Sequence, residues 1–340
     1  MSSRPTPDAT HATHATETFT ARDAVELALV ERSGFVESRH LGSAVVLDPD
    51  GVPVRTLGDV TTPVFARSSL KPVQAATCLA LGADLHDEAA GLATASHAGT
   101  PAHVAVVARM LAEGDLTPSD LRCPQAWPGD SAARQEWAAA GHGPDRLHMN
   151  CSGKHAAMLR ACRAQGWSTH DYTDPGHPLQ REIAATLERA GGEPIAATGV
   201  DGCGAPLFAV SLTALARATA WATAPDAADP AQAAAARVVE AVHRFPWTID
   251  GEGRENTLVI QHLGALAKGG AEGVLVVAAP GGCVALKVLD GAARPATLVA
   301  LTLLTQAGAL DADAVAAFLP RLPLDVRGGD EVVGRIRAVV

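Results

Sequence analysis

Arg67-Ser68-Ser69-Leu70-Lys71-Pro72 is the stretch at which the chain changes its periodicity. Ahead of it, residues 24–31 and 43–57 read as strands, the second as two short strands joined through Asp48-Pro49-Asp50-Gly51, which has hairpin turn chemistry. From Ser68 onward the pattern is helical, over residues 69–81, 101–113, 153–165, 178–190, 211–223 and 230–244. Pro101 and Pro178 sit in first turns, where a missing N–H costs nothing, and Gly114, Gly166 and Gly191 sit where helices stop. Strand signals return after the Asp250-Gly251-Glu252-Gly253 loop and a helix-like run to about Ala267. Residues 273–279 and 284–289 form a strand pair across Pro280-Gly281-Gly282, and residues 295–308 a long apolar helix. Strands at both ends with helices between them predict an α/β (α+β) fold, in which one sheet is built from both termini and a mainly helical lobe is inserted. The expected domains are residues 23–66 with 250–340, and residues 67–249. Residues 1–22 are expected to be a disordered tail in which His11 and His14 are solvated.

Composition narrows the function. The net charge of −10 comes with no basic block, so a nucleic-acid partner is not expected. No run reaches the roughly 18 apolar residues of a membrane span; the best, residues 297–310, carries Thr302, Thr305 and Gln306. Six cysteines are spread through the chain without a secretory h-region, which points to reduced thiols in a cytoplasmic protein.

Of 27 basic residues only four are lysines, Lys71, Lys154, Lys268 and Lys287. Arginine covers ordinary surface charge, whereas lysine can lose its proton inside a protein and act as a base, so the lysines are the first suspects for chemistry. For Lys287, on an apparent strand, chance survival in an arginine-rich composition is the favoured reading. Ser68-x-x-Lys71 places a hydroxyl and an amine on one face of a first helical turn, beside unpaired backbone N–H groups suited to an oxyanion, although on its own the tetrapeptide reads more readily as an N-cap serine with a solvated lysine. Lys268-Gly269-Gly270 adds a second lysine. A lysine base must fall from about 10.4 to near 7, and burial beside another cation can supply that shift. Ser96, in Thr94-Ala95-Ser96-His97-Ala98-Gly99, is a second serine on a loop at a helix entrance, able to contact substrate, relay a proton or simply cap a turn. Cys151, Lys154 and His155 open another helix, and Asp201-Gly202-Cys203 follows fifty residues later. These cysteines are either buried free thiols or weakly signalled metal ligands with a neutral Lys154.

Taken in order, Arg67-Ser68-x-x-Lys71-Pro72, Ala95-Ser96-His97, Asn150-Cys151-Ser152-Gly153-Lys154-His155, Asp201-Gly202-Cys203 and Lys268-x-Gly-Ala-Glu272-Gly resemble the asparaginase II family, the rhizobial-type L-asparaginases. The likeness runs from about Val30 to Gly291. It implies a serine β-lactamase-like fold shared with serine-dependent glutaminases. It also implies L-asparagine hydrolysis through two Ser–Lys pairs, Ser68 with Lys71 and Ser96 with Lys268. A metal position, typically zinc, is implied at Cys151, Lys154 and Cys203, although the chemistry itself requires no cofactor. Ser68 is then the nucleophile and Lys71 its base, while Arg67, His155 and Asp201 are candidates for gripping the α-carboxylate and α-amino groups of the substrate. Two departures stand out, the longer N-terminal segment and Ala98-Gly99 after Ser-His. The rival readings are a glutaminase or another Ser–Lys acyl hydrolase, and a catalytically silent zinc-binding protein of the same fold.

Overall fold

A computed structural model describes residues 16–224 and 228–340. Strands β1 (Val25–Arg32), β2 (Phe35–Leu47) and β3 (Pro53–Leu57) come from the front of the chain. Strands β7 (Leu266–Gly270), β8 (Val274–Ala279), β9 (Gly282–Val288), β10 (Asp325–Gly328) and β11 (Glu331–Ala338) come from the back. Together they make one antiparallel sheet in the order β10-β11-β1-β2-β9-β8-β7, with β3 also paired to β2. The expected sheet built from both ends is therefore present. Between its halves lie β4 (Val64–Phe65), β5 (Ala197–Val200) and β6 (Pro206–Val210), which form a small second sheet in the order β4-β6-β5.

The inserted part is mainly helical. It holds α1 (Lys71–Ala80), α2 (Asp87–Leu92), α3 (Pro101–Ala112), α4 (Ser131–Ala139), α5 (Ser152–Gln165), α6 (Pro178–Gly191), α7 (Leu212–Thr223) and α8 (Pro230–Arg244). α9 (Glu255–Leu263), α10 (Ala296–Gln306) and α11 (Ala312–Phe318) belong to the returning half. No described helix is long and apolar enough to cross a membrane.

Strand alternation explains the layering. Along β8, Val274, Val276 and Ala278 enter the core shared with α1, α5 and α7, while Leu275 and Val277 enter the core shared with α10. A strand buried on both faces reads as an unbroken apolar run, which is why this one was legible. α10 carries Leu298, Val299, Leu301, Leu303 and Leu304 into the second core, and truncating one such leucine to alanine costs about 2–5 kcal/mol. α1 is enclosed almost all round. The turn that leads into it, residues 67–70, packs against β7.

Three expectations change. The helix-like run to Ala267 stops at Leu263, where Gly264 takes a left-handed cap, and residues 266–270 are strand β7. β10 and β11 were not foreseen; their residues are mostly exposed and hydrophobic alternation is weak. Phe19 is packed in the core, ahead of the expected start at residue 23. Residues 1–15 of the expected tail, with His11 and His14, lie outside the described residues. All six cysteines are free and buried.

Candidate active site

The quoted hexapeptide begins as a 3-10 turn, Arg67–Leu70, and runs into α1 with Pro72 in its first turn. Proline fits there because that N–H would have no intrahelical acceptor. Arg67 has φ +53°, a left-handed conformation for a non-glycine residue that costs on the order of 1–3 kcal/mol and marks sites held by their surroundings. Here the surroundings are an ion pair, Arg67 Nε to Asp201 Oδ1 at 2.9 Å. On the other side lies β7: a Cβ at Gly270 would sit 2.9 Å from the Ala66 carbonyl and 3.3 Å from the Ser68 nitrogen. Only glycine lets the strand edge come so near the Ser68 N–H, which an oxyanion can use.

Lys71 is fully buried. Its Nζ donates to the Ala95 carbonyl, to Ser96 Oγ at 3.0 Å and to Cys151 Sγ at 3.1 Å. Lys268, also fully buried, donates to Ser96 Oγ at 2.9 Å and to the Gly269 carbonyl at 2.7 Å. Ser96 therefore stands between two lysine amines. Burial and the neighbouring Lys71 charge push the Lys268 amine down to about 8, with Asp250 acting the other way. Ser68 lines one crevice with Arg67, Lys71, Lys154 and Asp201, but Lys71 makes its hydrogen bonds to the Ser96 side and not to Ser68. The expected Ser68–Lys71 pair shares a crevice; the expected Ser96–Lys268 pair is in direct contact.

Ser96 owes its place to two neighbours. Its N–H donates to the Ile249 carbonyl at 2.8 Å, and the next N–H, of His97, donates to the Asn150 carbonyl at 3.0 Å. The His97 ring turns away from the lysines to Ser152 Oγ at 2.8 Å. α5 approaches closely at this point: a Cβ on Gly153 would lie 2.4 Å from the Leu92 carbonyl.

Beside the lysine pair lies a sulfur cluster. Lys154 Nζ is 3.1 Å from Cys203 Sγ, and Cys203 Sγ is 3.6 Å from Asp201 Oδ2. A hydrogen bond from Cys151 and the Lys154 charge bring the Cys203 thiol down to about 5 against the pull of burial. The Cys151 thiol, as donor in that bond and itself buried, rises to about 12. Burial opposes charge on Lys154, yet the two cysteines outweigh it and raise its amine. Asp201 stays low: burial would raise it, but Lys154 and the Arg67 hydrogen bond prevail.

Two sulfurs and one amine nitrogen, of which Lys154 Nζ and Cys203 Sγ are in contact, would suit three positions of a tetrahedral zinc site, provided Cys151 and Lys154 give up their protons. Among the described residues no group of three or more His, Cys, Asp or Glu side chains could hold a metal ion, and the expected zinc position would need Lys154 as a ligand.

His155 is fully buried and its Nδ1 pairs with Tyr172 OH at 2.7 Å, while its Nε2 has no partner. Burial and the Lys154 charge drop its imidazole to about 3, so it is neutral. Tyr172, the single tyrosine in the chain, also accepts the Arg122 N–H. Being the chain's one tyrosine is the sequence signal that marks it. Lys287 donates to the Glu272 and Val288 carbonyls and stands apart from the lysine pair.

A profile described as L-asparaginase II matches residues 28–338, nearly the whole chain. No curated protein matches. Among solved structures, a protein named Mglu in its native form is similar at 13% identity and TM-score 0.45, over 78% of this chain and 64% of that one. This chain thus spans less than two thirds of Mglu. A β-lactamase from Mycobacterium bovis is similar at 13% identity and TM-score 0.37, over 78% and 94%. A Bacillus subtilis glutaminase, covalently bound to 5-oxo-L-norleucine, is similar at 12% identity and TM-score 0.37, over 83% and 92%.

Proposed function

The chain belongs to the L-asparaginase II family, and from that premise we propose that it hydrolyses the side-chain amide of L-asparagine to L-aspartate and ammonia through an acyl-enzyme on Ser68. The observation that carries this reading is Ser96 Oγ held between the Lys71 and Lys268 amines. A chain of amine, hydroxyl and amine can move charge without moving atoms far. Lys71 passes a proton to Ser96, which passes its own to neutral Lys268. Lys71 is then free to take the Ser68 proton as Ser68 Oγ bonds the amide carbon. The Ser68 N–H, in a first turn without an intrahelical acceptor, stabilises the oxyanion. When the tetrahedral adduct collapses, the C–N bond breaks and the protonated amine side returns a proton to the departing ammonia. Water then opens the ester by the same route in reverse roles, releasing aspartate and restoring Ser68.

The Arg67–Asp201 pair at the crevice offers one charge of each sign, matching a substrate that carries an α-carboxylate and an α-ammonium. His155 is buried behind the sulfur cluster and supports that region through Tyr172. A zinc ion held by Cys151, Lys154 and Cys203 would supply fixed positive charge for an anionic substrate group. We place the enzyme in the cytoplasm because its buried free thiols suit a reducing compartment, and we propose a homodimer. Ammonia release from L-asparagine and L-glutamine, measured side by side, tests the reading. Turnover of asparagine with a higher kcat/KM than glutamine supports it, preference for glutamine makes the protein a glutaminase, and no release from either defeats it.

A further inference from the structure

The segment from Pro246 to Thr257 takes no part in the proton chain, yet it touches that chain from two sides. Ile249, fully buried, offers its carbonyl to the Ser96 N–H at 2.8 Å. Asn256, in the first turn of α9, accepts the Gly269 N–H on Oδ1 at 3.1 Å and donates from Nδ2 to Asp250 Oδ2 at 2.5 Å. Gly269 directly follows Lys268, whose amine folds back onto the Gly269 carbonyl. β7 is an edge strand, paired only with β8, so the N–H groups on its outer side have no strand partner. Asn256 takes the one next to Lys268. The segment is itself anchored: the Trp247 carbonyl meets His103 Nε2 at 3.1 Å, Thr257 Oγ1 donates to the Pro246 carbonyl at 3.3 Å, and Arg254 donates to the Gly129 carbonyl at 3.0 Å.

We propose that Asn256, braced by Asp250, is a positioning residue for the reaction: with the Ile249 carbonyl it sets the register of Lys268 against Ser96, so that one loop holds both partners of that contact. The proposal rests on the reading above, in which protons pass between Ser96 and Lys268. The charged and titratable groups facing Lys268 are Lys71 on α1, Asp250 on this loop and Cys151 just ahead of α5. Lys71 disfavours a second positive charge and Asp250 favours it. The loop therefore sets the amine's surroundings as well as its place.

The test uses the full chain with two readouts, steady-state ammonia release and NMR of 13Cε-labelled lysine. Four lysines give four signals, so Lys268 can be followed without turnover. Asn256→Leu removes both hydrogen bonds at similar volume. It should lower kcat roughly tenfold to a hundredfold while KM stays within about twofold, and it should displace the Lys268 signal. Asp250→Asn keeps an acceptor for Asn256 and removes the charge; the Lys268 titration and the acidic limb of kcat/KM should both move to lower pH. A folded Asn256→Leu with wild-type kcat and an unmoved Lys268 signal overturns the proposal. Should Asn256→Leu fail to fold, Asp250→Asn decides alone: an unmoved Lys268 titration overturns the proposal. Displaced Lys268 signals in a protein that releases no ammonia from either amide would uphold the positioning of Lys268 and defeat the proposed amide hydrolysis.

Discussion

Lys268 and Lys154 are both buried lysines within one site, and their surroundings treat the charge in opposite ways. Lys268 faces a hydroxyl, a carbonyl and a second amine, so burial and like charge push its proton off toward neutral pH. Lys154 faces the Cys203 thiol, itself brought down to about 5, and the two cysteines favour the Lys154 charge against burial while no metal is bound. Depth alone does not make a base. The charge of the partner matters as much, and this fold sets an amine that sheds its proton more readily beside one that, with no metal bound, holds it, by choosing oxygen for one and sulfur for the other.

The contrast would lose its meaning if the lysine pair did not serve a nucleophile at Ser68. Ser68→Ala should therefore lower kcat by about 10⁴–10⁶-fold with little change in thermal unfolding. Activity near wild type would remove Ser68 from that role. Next in size, Lys71→Arg and Lys268→Arg should each lower kcat by roughly 10²–10⁴-fold, almost as much as alanine, because a guanidinium keeps its proton. Should Lys154→Arg cause the same loss of kcat with KM unchanged, the division of roles between Lys268 and Lys154 fails. The sulfur side can be broken through stability. Cys203→Ser strands a buried ammonium and should cost about 3–5 kcal/mol in urea unfolding, while Lys154→Met/Cys203→Ser should recover part of it. The same serine variant, with Cys151→Ser, should lower any metal content found by elemental analysis and raise KM more than it lowers kcat.

The pH dependence sharpens the contrast further. In the proposed proton chain Lys268 acts in its neutral form, and burial beside the Lys71 charge brings its amine down to about 8, so kcat/KM should climb through that region and flatten above it. The limb belongs to the interacting cluster, not to one amine. A limb in the carboxylate range, near pH ~4, would show a different base at work. The smallest effect is expected at Ser69, whose Oγ donates only to the Ala66 carbonyl at 2.6 Å. Ser69→Ala should cost about 1 kcal/mol and leave kcat within about twofold, which separates the two adjacent serines.

Much of this was legible in the chain. The helix expected over residues 101–113 is observed over Pro101–Ala112, and its start is a capping box between Thr100 and His103, the kind of local signal a sequence carries. Strand β7 was not legible: Gly269 and Gly270 weaken a strand signal, and Leu266 continues the apolar run of α9. Pairing with β8, a tertiary fact, decides it. β11 was hidden because its exposed charges answer those of β1, as Arg337 does with Glu31, instead of alternating with buried apolar residues. Within the site, residue types and spacing brought Ser68, Lys71, Ser96, Lys268, Cys151, Lys154 and Cys203 onto the page. They could not show that Lys71 turns toward Ser96, nor that Asn256 reaches Gly269, because neither contact has a local signature.

The contacts at Ser96 also say something about time. Lys71 lies 25 residues from Ser96, whereas Lys268 lies 172 residues away, and the Arg67–Asp201 pair spans 134. A folding chain gathers near neighbours before distant ones, since closing a long loop costs entropy before any contact repays it. The Ser96–Lys71 contact can thus form within the helical portion as it condenses, while the second amine comes only when the last strands dock onto the first. In refolding from urea, helical signal should return before hydrolysis does, and ammonia release should track the arrival of β7 at the sheet edge. On the proposed mechanism competence is a late event, because one amine of the proton chain reaches Ser96 across 172 residues of sequence.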